Sequence, residues 1–116
     1  GPASQVMQSP LSKASTIAST AMTATIDVPK KFAVYQNYPN PFNPSTTIKY
    51  DLPKDAKVTL TMYNLLGQEV ATLVNEQLSA GRYSVQWNAQ DLATGVYFYR
   101  LQAGSYVEMR KLVLLK

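Results

Sequence analysis

The stretch that decides the fold lies at positions 46–63 and reads TTIKYDLPKDAKVTLTMY. On each side of a short turn at Pro53, apolar residues alternate with polar ones, which is typical of a β-strand with one buried face. The apolar residues expected to face a core are Ile48, Tyr50, Leu52, Val58, Leu60 and Met62. The residues between them, expected to face solvent, are Thr47, Lys49, Asp51, Lys57, Thr59 and Thr61. The stretch therefore predicts two consecutive, half-buried strands.

Similar short runs continue to Lys116, separated by residues that favour turns. Together they predict seven strands, at 33–38, 46–52, 57–63, 68–74, 82–88, from 95, and 107–116, with turns at 64–67, 75–81, 89–94 and 104–105. Further inward positions are expected at Tyr83, Val85, Trp87, Tyr97, Tyr99 and Leu101, with Trp87 as the largest piece of the core. Strands and turns at this spacing favour an all-β fold, a seven-stranded antiparallel immunoglobulin-like β-sandwich, over an open barrel.

The first 28 residues differ from the rest of the chain in composition. Gly1-Pro2 is typical of the scar that a protease leaves when it removes a purification tag, and residues 3–28 are rich in Ser, Thr and Ala with few apolar residues. Such a segment buries too little surface to offset its ordering entropy. We therefore expect residues 1–31 to be a linker tail and residues 32–116 to be the folded domain. An added strand or a short helix within Ser15 to Ile26 remains open.

The composition argues against an enzyme. Among 116 residues there is no cysteine and no histidine, which removes thiolate nucleophiles, zinc-thiolate sites and the commonest general base. The seven carboxylates fall mostly in separate turns or at outward positions, so we expect no catalytic residue, no metal site and no cofactor. Weak Ca²⁺ binding at Asp51 with Asp55, or at Asn88 with Asp91, is a minor alternative.

Charge and hydropathy limit the partners. The net charge of +4 is modest and its basic residues are scattered, whereas a nucleic-acid binder more often carries a dense basic stripe. No stretch approaches the roughly 18 apolar residues of a membrane helix. Four tyrosines not assigned to the core could stack on sugar rings, although packing or capping roles are favoured: Tyr35, Tyr38, Tyr63 and Tyr106.

Several longer motifs carry a resemblance to a known family. They are the proline-rich run Asn37 to Ile48, the runs Tyr63 to Val70, Gly81 to Asn88 and Gly95 to Leu101, and the closing segment Lys111 to Lys116. In this order they resemble the type A C-terminal sorting domain of the type IX secretion system of Bacteroidetes, over roughly Phe32 to Lys116. The portion around Trp87 is also similar to the immunoglobulin-like part of flagellar hook-capping proteins, apart from a shorter loop at Asn88 to Thr94. That second likeness supports the fold alone.

The resemblance implies a function in protein secretion. It implies an N-terminal cargo that crosses the inner membrane into the periplasm, recognition by the outer-membrane translocon, cleavage by a sortase-like peptidase, and arrival at the cell surface or outside the cell. A non-catalytic carbohydrate-binding module and a structural spacer appended to an exported enzyme are the alternatives.

The resemblance also implies site residues. Receptor recognition is expected in the last strand, at Lys111, Leu112, Val113, Leu114, Leu115 and Lys116. A mainly structural role is expected for the motif residues Pro39, Asn40, Pro41, Asn43, Pro44, Gly67, Gly81, Trp87, Gly95 and Tyr97. The last strand suits a plain core strand equally well; at a sheet edge, its free N–H and C=O groups could pair with a partner. We expect deletion of its six residues to abolish recognition while most of the core stays folded.

Overall fold

A computed structural model describes residues 28–116, so the predictions for the tail up to position 27 lie outside the described residues. The described part contains seven strands: β1 (Ala33–Val34), β2 (Ser45–Leu52), β3 (Ala56–Tyr63), β4 (Glu69–Leu78), β5 (Gly81–Asn88), β6 (Gly95–Ala103) and β7 (Tyr106–Leu114). None of these residues forms a helix long and apolar enough to cross a membrane.

The strands form two antiparallel sheets. The first has the order β1-β2-β5 and the second the order β4-β3-β6-β7. The seven strands in two sheets confirm the predicted all-β sandwich rather than the open barrel, and the arrangement is compatible with an immunoglobulin-like fold.

The core lies between the sheets and follows the predicted alternation. All six apolar residues of the 46–63 stretch are buried, as are Trp87, Tyr97, Tyr99 and Leu101. The Trp87 ring packs against Tyr97 edge-on, with centroids 5.9 Å apart, and against Phe42 at 5.7 Å. Burial on this scale supplies the main driving force for a domain of this size.

Two residues expected to face solvent are buried instead. Asp51 is covered because Tyr35 donates a hydrogen bond to its carboxylate and Arg82 forms an ion pair with it at 3.0 Å. Thr61 lies on the central strand β3, between Thr72 of β4 and Arg100 of β6, and is also buried. The alternating pattern placed both residues on the outer face, but it cannot show what covers that face.

Tyr83 and Val85, predicted to point inward, are only half-buried because β5 is an edge strand. The predicted turn at 75–81 is wrong in its first half, since β4 continues to Leu78 and only two residues separate it from β5. The first predicted strand is also shorter than expected. Beyond Val34 its pairing with β2 continues only through the bond from Tyr35 N–H to the Lys49 carbonyl at 2.9 Å and an isolated antiparallel bridge between Tyr38 and Thr47.

Candidate recognition site

The last strand, β7, lies at one edge of the four-stranded sheet. It pairs along its whole length with β6, from Ala103 opposite Tyr106 to Gly95 opposite Leu114. Leu112 and Leu114 point inward and have no exposed surface. The predicted recognition strand is therefore both an edge strand and part of the core.

The proline-rich loop occupies the end of that edge. Phe42 forms a parallel bridge with Leu114: its N–H donates to the Val113 carbonyl at 2.9 Å, and its carbonyl accepts from Leu115 N–H at 3.0 Å. The Asn40 side-chain oxygen accepts from Val113 N–H at 3.0 Å. The backbone groups at the end of β7 are thus bonded within this chain and are not available to a partner strand.

The side chains around this end remain accessible. Lys111 and Lys116 are exposed, and Leu115 exposes 51% of its surface. Lys116 is held in place because its backbone N–H donates to the Thr94 hydroxyl at 3.0 Å and its ammonium donates to the Gln90 carbonyl. The six predicted recognition residues therefore divide into a buried pair, Leu112 and Leu114, a half-buried Val113, and three exposed residues.

The expectation that deletion of Lys111 to Lys116 leaves most of the core folded is not compatible with this placement. The deletion would remove the two fully buried leucines and the strand end that the proline-rich loop contacts. Buried leucines are among the residues whose loss destabilises a domain most. Recognition and folding are not separable by that truncation.

A buried asparagine organises the start of the proline-rich loop. Asn37 N–H donates to the Tyr99 hydroxyl at 3.0 Å, and its side-chain amide donates to the Pro39 carbonyl at 3.1 Å and to the Thr46 hydroxyl at 3.0 Å. The Tyr99 hydroxyl donates in turn to the Tyr35 carbonyl at 2.7 Å. Burial raises the pKa of Tyr99 to about 12, so this hydroxyl stays protonated as a donor at ordinary pH.

Sequence reasoning did not single out Asn37 or Phe42 individually, although both stand in the proline-rich run. A polar residue and a phenylalanine among turn formers carry no periodic signal of burial. The side chain of Asn40, one of the motif residues for which a mainly structural role is expected, reaches across to β7. Asn43 is exposed, and the following residue, Pro44, accepts a bond from Ala89 N–H at 2.9 Å.

The other motif residues occupy structural positions. Gly67 closes the β3–β4 turn with a φ of 82°, a conformation that favours glycine, and its N–H donates to the Asn64 carbonyl at 3.0 Å. Gly81 is the first residue of β5, opposite Leu52, and Gly95 is the first residue of β6. Of the remaining motif prolines, Pro39 and Pro41 are exposed on the loop.

Within 28–116, no group of three or more acidic side chains converges where a metal ion could bind. Of the residues considered for Ca²⁺, Asp55 accepts from Ala80 N–H at 2.9 Å and Asn88 accepts from Gln90 N–H at 2.9 Å.

The four tyrosines considered for sugar binding do not share one surface. Tyr35 and Tyr38 line a shallow depression of about 340 Å³ beside β2, in the three-stranded sheet. Tyr63 lies in the other sheet under the Arg100 guanidinium, and Tyr106 stacks on Phe32 with ring centroids 5.3 Å apart. Sugar-stacking platforms require several rings on one face, which this arrangement does not offer.

Fold and site together define a small antiparallel β-sandwich whose last strand lies at a sheet edge and is held there by a proline-rich loop. Comparison with protein families shows that the chain belongs to the secretion system C-terminal sorting domains, whose family profile matches residues 36–115. This confirms the resemblance to the type IX sorting domain. No curated protein and no solved structure gave a match.

Membership of this family establishes the general role. The domain is a sorting signal of the type IX secretion system, it is attached to a cargo protein, and it directs export to the cell surface or the extracellular space. The family is not an enzyme family.

Proposed function

We propose that the outer-membrane translocon of the type IX system recognises this domain in its folded state, at the end of β7, after the cargo has entered the periplasm. A sortase-like peptidase then removes the domain from the cargo. The last strand, Lys111 to Lys116, carries the contact.

The observation that supports this proposal is that some residues of the last strand are buried in the core and others are exposed. Leu112 and Leu114 anchor it in the core, while Lys111, Leu115 and Lys116 present charged and apolar surface from a rigid position. A receptor can bind such a preorganised surface without the entropic cost of ordering a free peptide. The two lysines favour an acidic receptor surface, because complementary charge accelerates and orients the encounter.

Export of a reporter tests the function. The full 116-residue chain is fused behind a signal peptide and a fluorescent protein, and expressed in a type IX-competent host and in a strain without the translocon. We expect the reporter outside the cell or on its surface only in the competent host. Retention in the periplasm of the competent host would contradict the proposal.

Matched substitutions test the contribution of the exposed end. Leu115→Ser is compared with Leu66→Ser, a leucine at the β3–β4 turn that exposes 83% of its surface. Both variants should unfold at nearly the same temperature as the unmodified domain, since exposed positions contribute little to stability. We expect Leu115→Ser alone to reduce export. Equal export of the two variants would remove the end of β7 from the recognition surface.

The peptidase step has its own readout. In the competent host, the exported reporter should be smaller than the periplasmic precursor by about the mass of the domain. An exported reporter that keeps its full mass would contradict cleavage while leaving recognition by the translocon intact.

A further inference from the structure

The open part of the β7 edge begins before the predicted recognition residues and overlaps them only at Lys111. Val113 directs both its N–H and its carbonyl away from β6, toward Asn40 and Phe42. In an antiparallel pair the backbone direction alternates with every residue. Lys111, Met109 and Val107 therefore direct their backbone groups to the same outer edge.

This edge is divided into a covered and an open half. From Val113 to Leu115 it is bonded to the proline-rich loop, and the Lys111 carbonyl accepts a bond from the Gln36 side chain at 2.8 Å. Within residues 28–116, the outward N–H and C=O groups of Val107 and Met109 and the N–H of Lys111 form no hydrogen bond. Five consecutive outward groups are thus open to a further strand.

Two outward side chains of the open half, Val107 and Met109, are apolar, although Glu108, Arg110 and Lys111 beside them are charged. Val107 and Met109 expose 53% and 54% of their surfaces. Proteins commonly protect free edges with charges, bulges or covering loops, because an apolar edge invites pairing with another chain. The edge of β5 in the other sheet is polar instead, with exposed Ser84 and Gln86.

We propose that a β-strand of the secretion receptor pairs with β7 at Val107 to Lys111 and extends the four-stranded sheet. This inference rests on the proposed function and adds a backbone contact beside the side-chain contact at Lys111 to Lys116. Backbone hydrogen bonds to the five open groups hold the added strand. The contacts made by the side chains of the added strand determine which strand binds, as in other cases of strand addition.

The chemistry of this edge defines the strand that fits. The added strand should have apolar residues beside Val107 and Met109. It should have an acidic residue beside the exposed Lys111, because opposite charges on neighbouring strands stabilise a pair. Arg100, opposite Met109 on β6, adds a second positive charge to the same face. The covered half fixes the register, since a partner strand extending past Lys111 would collide with the loop at Phe42.

Proline substitution at an outward position tests the pairing directly. Met109→Pro removes the outward N–H and places a ring on the edge, yet it removes no bond to β6, because that N–H points away from the ladder. Gln86→Pro is the matched control. Thr47 and Lys49 direct their backbone groups toward β1, so Gln86, opposite Thr47, directs its N–H to the free edge of β5.

Both variants are made in the full chain carrying the signal peptide and reporter, and their folding is checked by thermal unfolding of the purified chains. We expect Met109→Pro to lower the exported fraction about tenfold, the scale of one lost hydrogen bond in a binding equilibrium, and Gln86→Pro to leave export unchanged. Export of a folded Met109→Pro variant at the unmodified level would overturn the strand pairing. Failure of the unmodified chain to be exported would instead overturn the proposed function.

A charge reversal keeps the proposal falsifiable if Met109→Pro does not fold. Lys111→Glu preserves the backbone and should lower export about tenfold, whereas Lys57→Glu on β3 should not change it. Equal export of these two variants would overturn the acidic partner strand. Sedimentation of the purified chain tests whether a second copy of the chain pairs with this edge instead. If the chain is a dimer that Met109→Pro dissociates while export is unchanged, the edge belongs to a second copy and the proposal is overturned.

Discussion

Phe42 and Leu114 form a parallel β-bridge that joins the proline-rich loop to the end of the last strand. Both side chains are buried, and Phe42 also contacts the Trp87 ring in the centre of the core. Residues more than seventy positions apart thus form one structural unit. The loop shapes the edge that a receptor meets. It does so through two residues, the side chain of Asn40 and the backbone of Phe42.

Substitution of the bridging phenylalanine tests how strongly the domain depends on this unit. Phe42→Ala should lower the free energy of unfolding by about 3–5 kcal/mol, since it leaves a cavity beside Trp87 and Leu114. Asn43→Ala in the same loop is the control and should change it by less than about 0.5 kcal/mol, because Asn43 is exposed. Urea denaturation measures both. A loss below about 1 kcal/mol for Phe42→Ala would show that the loop packs loosely on the core.

The buried asparagine offers a second test. Asn37→Ala removes the two amide bonds to the Pro39 carbonyl and the Thr46 hydroxyl and opens a polar cavity, so we expect a loss of about 1–3 kcal/mol. The Pro39 carbonyl keeps its bond from the Thr46 hydroxyl at 2.8 Å. For a domain of this size, each kcal/mol lowers the melting temperature by about 4–8 °C. Tyr38→Ala, at a neighbouring side chain that is 80% exposed, should leave the melting temperature nearly unchanged. A smaller shift for Asn37→Ala than for Tyr38→Ala would contradict the assigned network.

Alkaline pH should weaken the domain through its buried tyrosines. Burial raises the pKa of Tyr50 and of Tyr99 to about 12, from 10.0 in the ordinary state. Above pH 10 the unfolded chain loses these protons and the folded chain keeps them, so stability is full below about pH 10 and is lost as pH rises toward 12. Each tyrosine contributes a slope of about 1.4 kcal/mol per pH unit in that window.

Denaturation at a series of pH values measures this slope, and absorbance at 295 nm follows the tyrosines themselves. Tyr99→Phe should be less stable at neutral pH, because it loses the bonds to Tyr35 and Asn37, yet show a shallower decline above pH 10. An unchanged slope in Tyr99→Phe would exclude this tyrosine as a source of the alkaline effect.

The alternating pattern predicted the strands well because each strand has one buried face, as the burial of Ile48, Leu60 and Leu101 shows. The pattern failed where long-range polar contacts bury a residue that it places on the outer face. Asp51 is buried because Arg82 and the Tyr35 hydroxyl meet it there, and both partners are distant in sequence. No local pattern in the sequence predicts such a pairing.

The site was predictable in position but not in detail. The closing run of leucines indicated a strand, and the resemblance marked it for recognition, but neither shows which of its edges is free. That depends on the loop bringing Phe42 and Asn40 to Val113, a contact that no periodicity encodes. The open segment at Val107 and Met109 follows only from the geometry.

Two truncations test which part of the closing segment the fold requires. Deleting residues 111–116 removes Leu112 and Leu114, each worth about 2–5 kcal/mol when truncated in a core, from a domain whose total stability is about 5–15 kcal/mol. We expect that chain to be largely unfolded by circular dichroism. Deleting only Leu115 and Lys116 removes the bond from Leu115 N–H to Phe42 and the exposed bonds of Lys116 to Thr94 and Gln90, and should cost about 1–3 kcal/mol, leaving a cooperative transition. If the longer deletion also melts cooperatively within a few degrees of the full chain, the last strand is not the core element that its burial indicates.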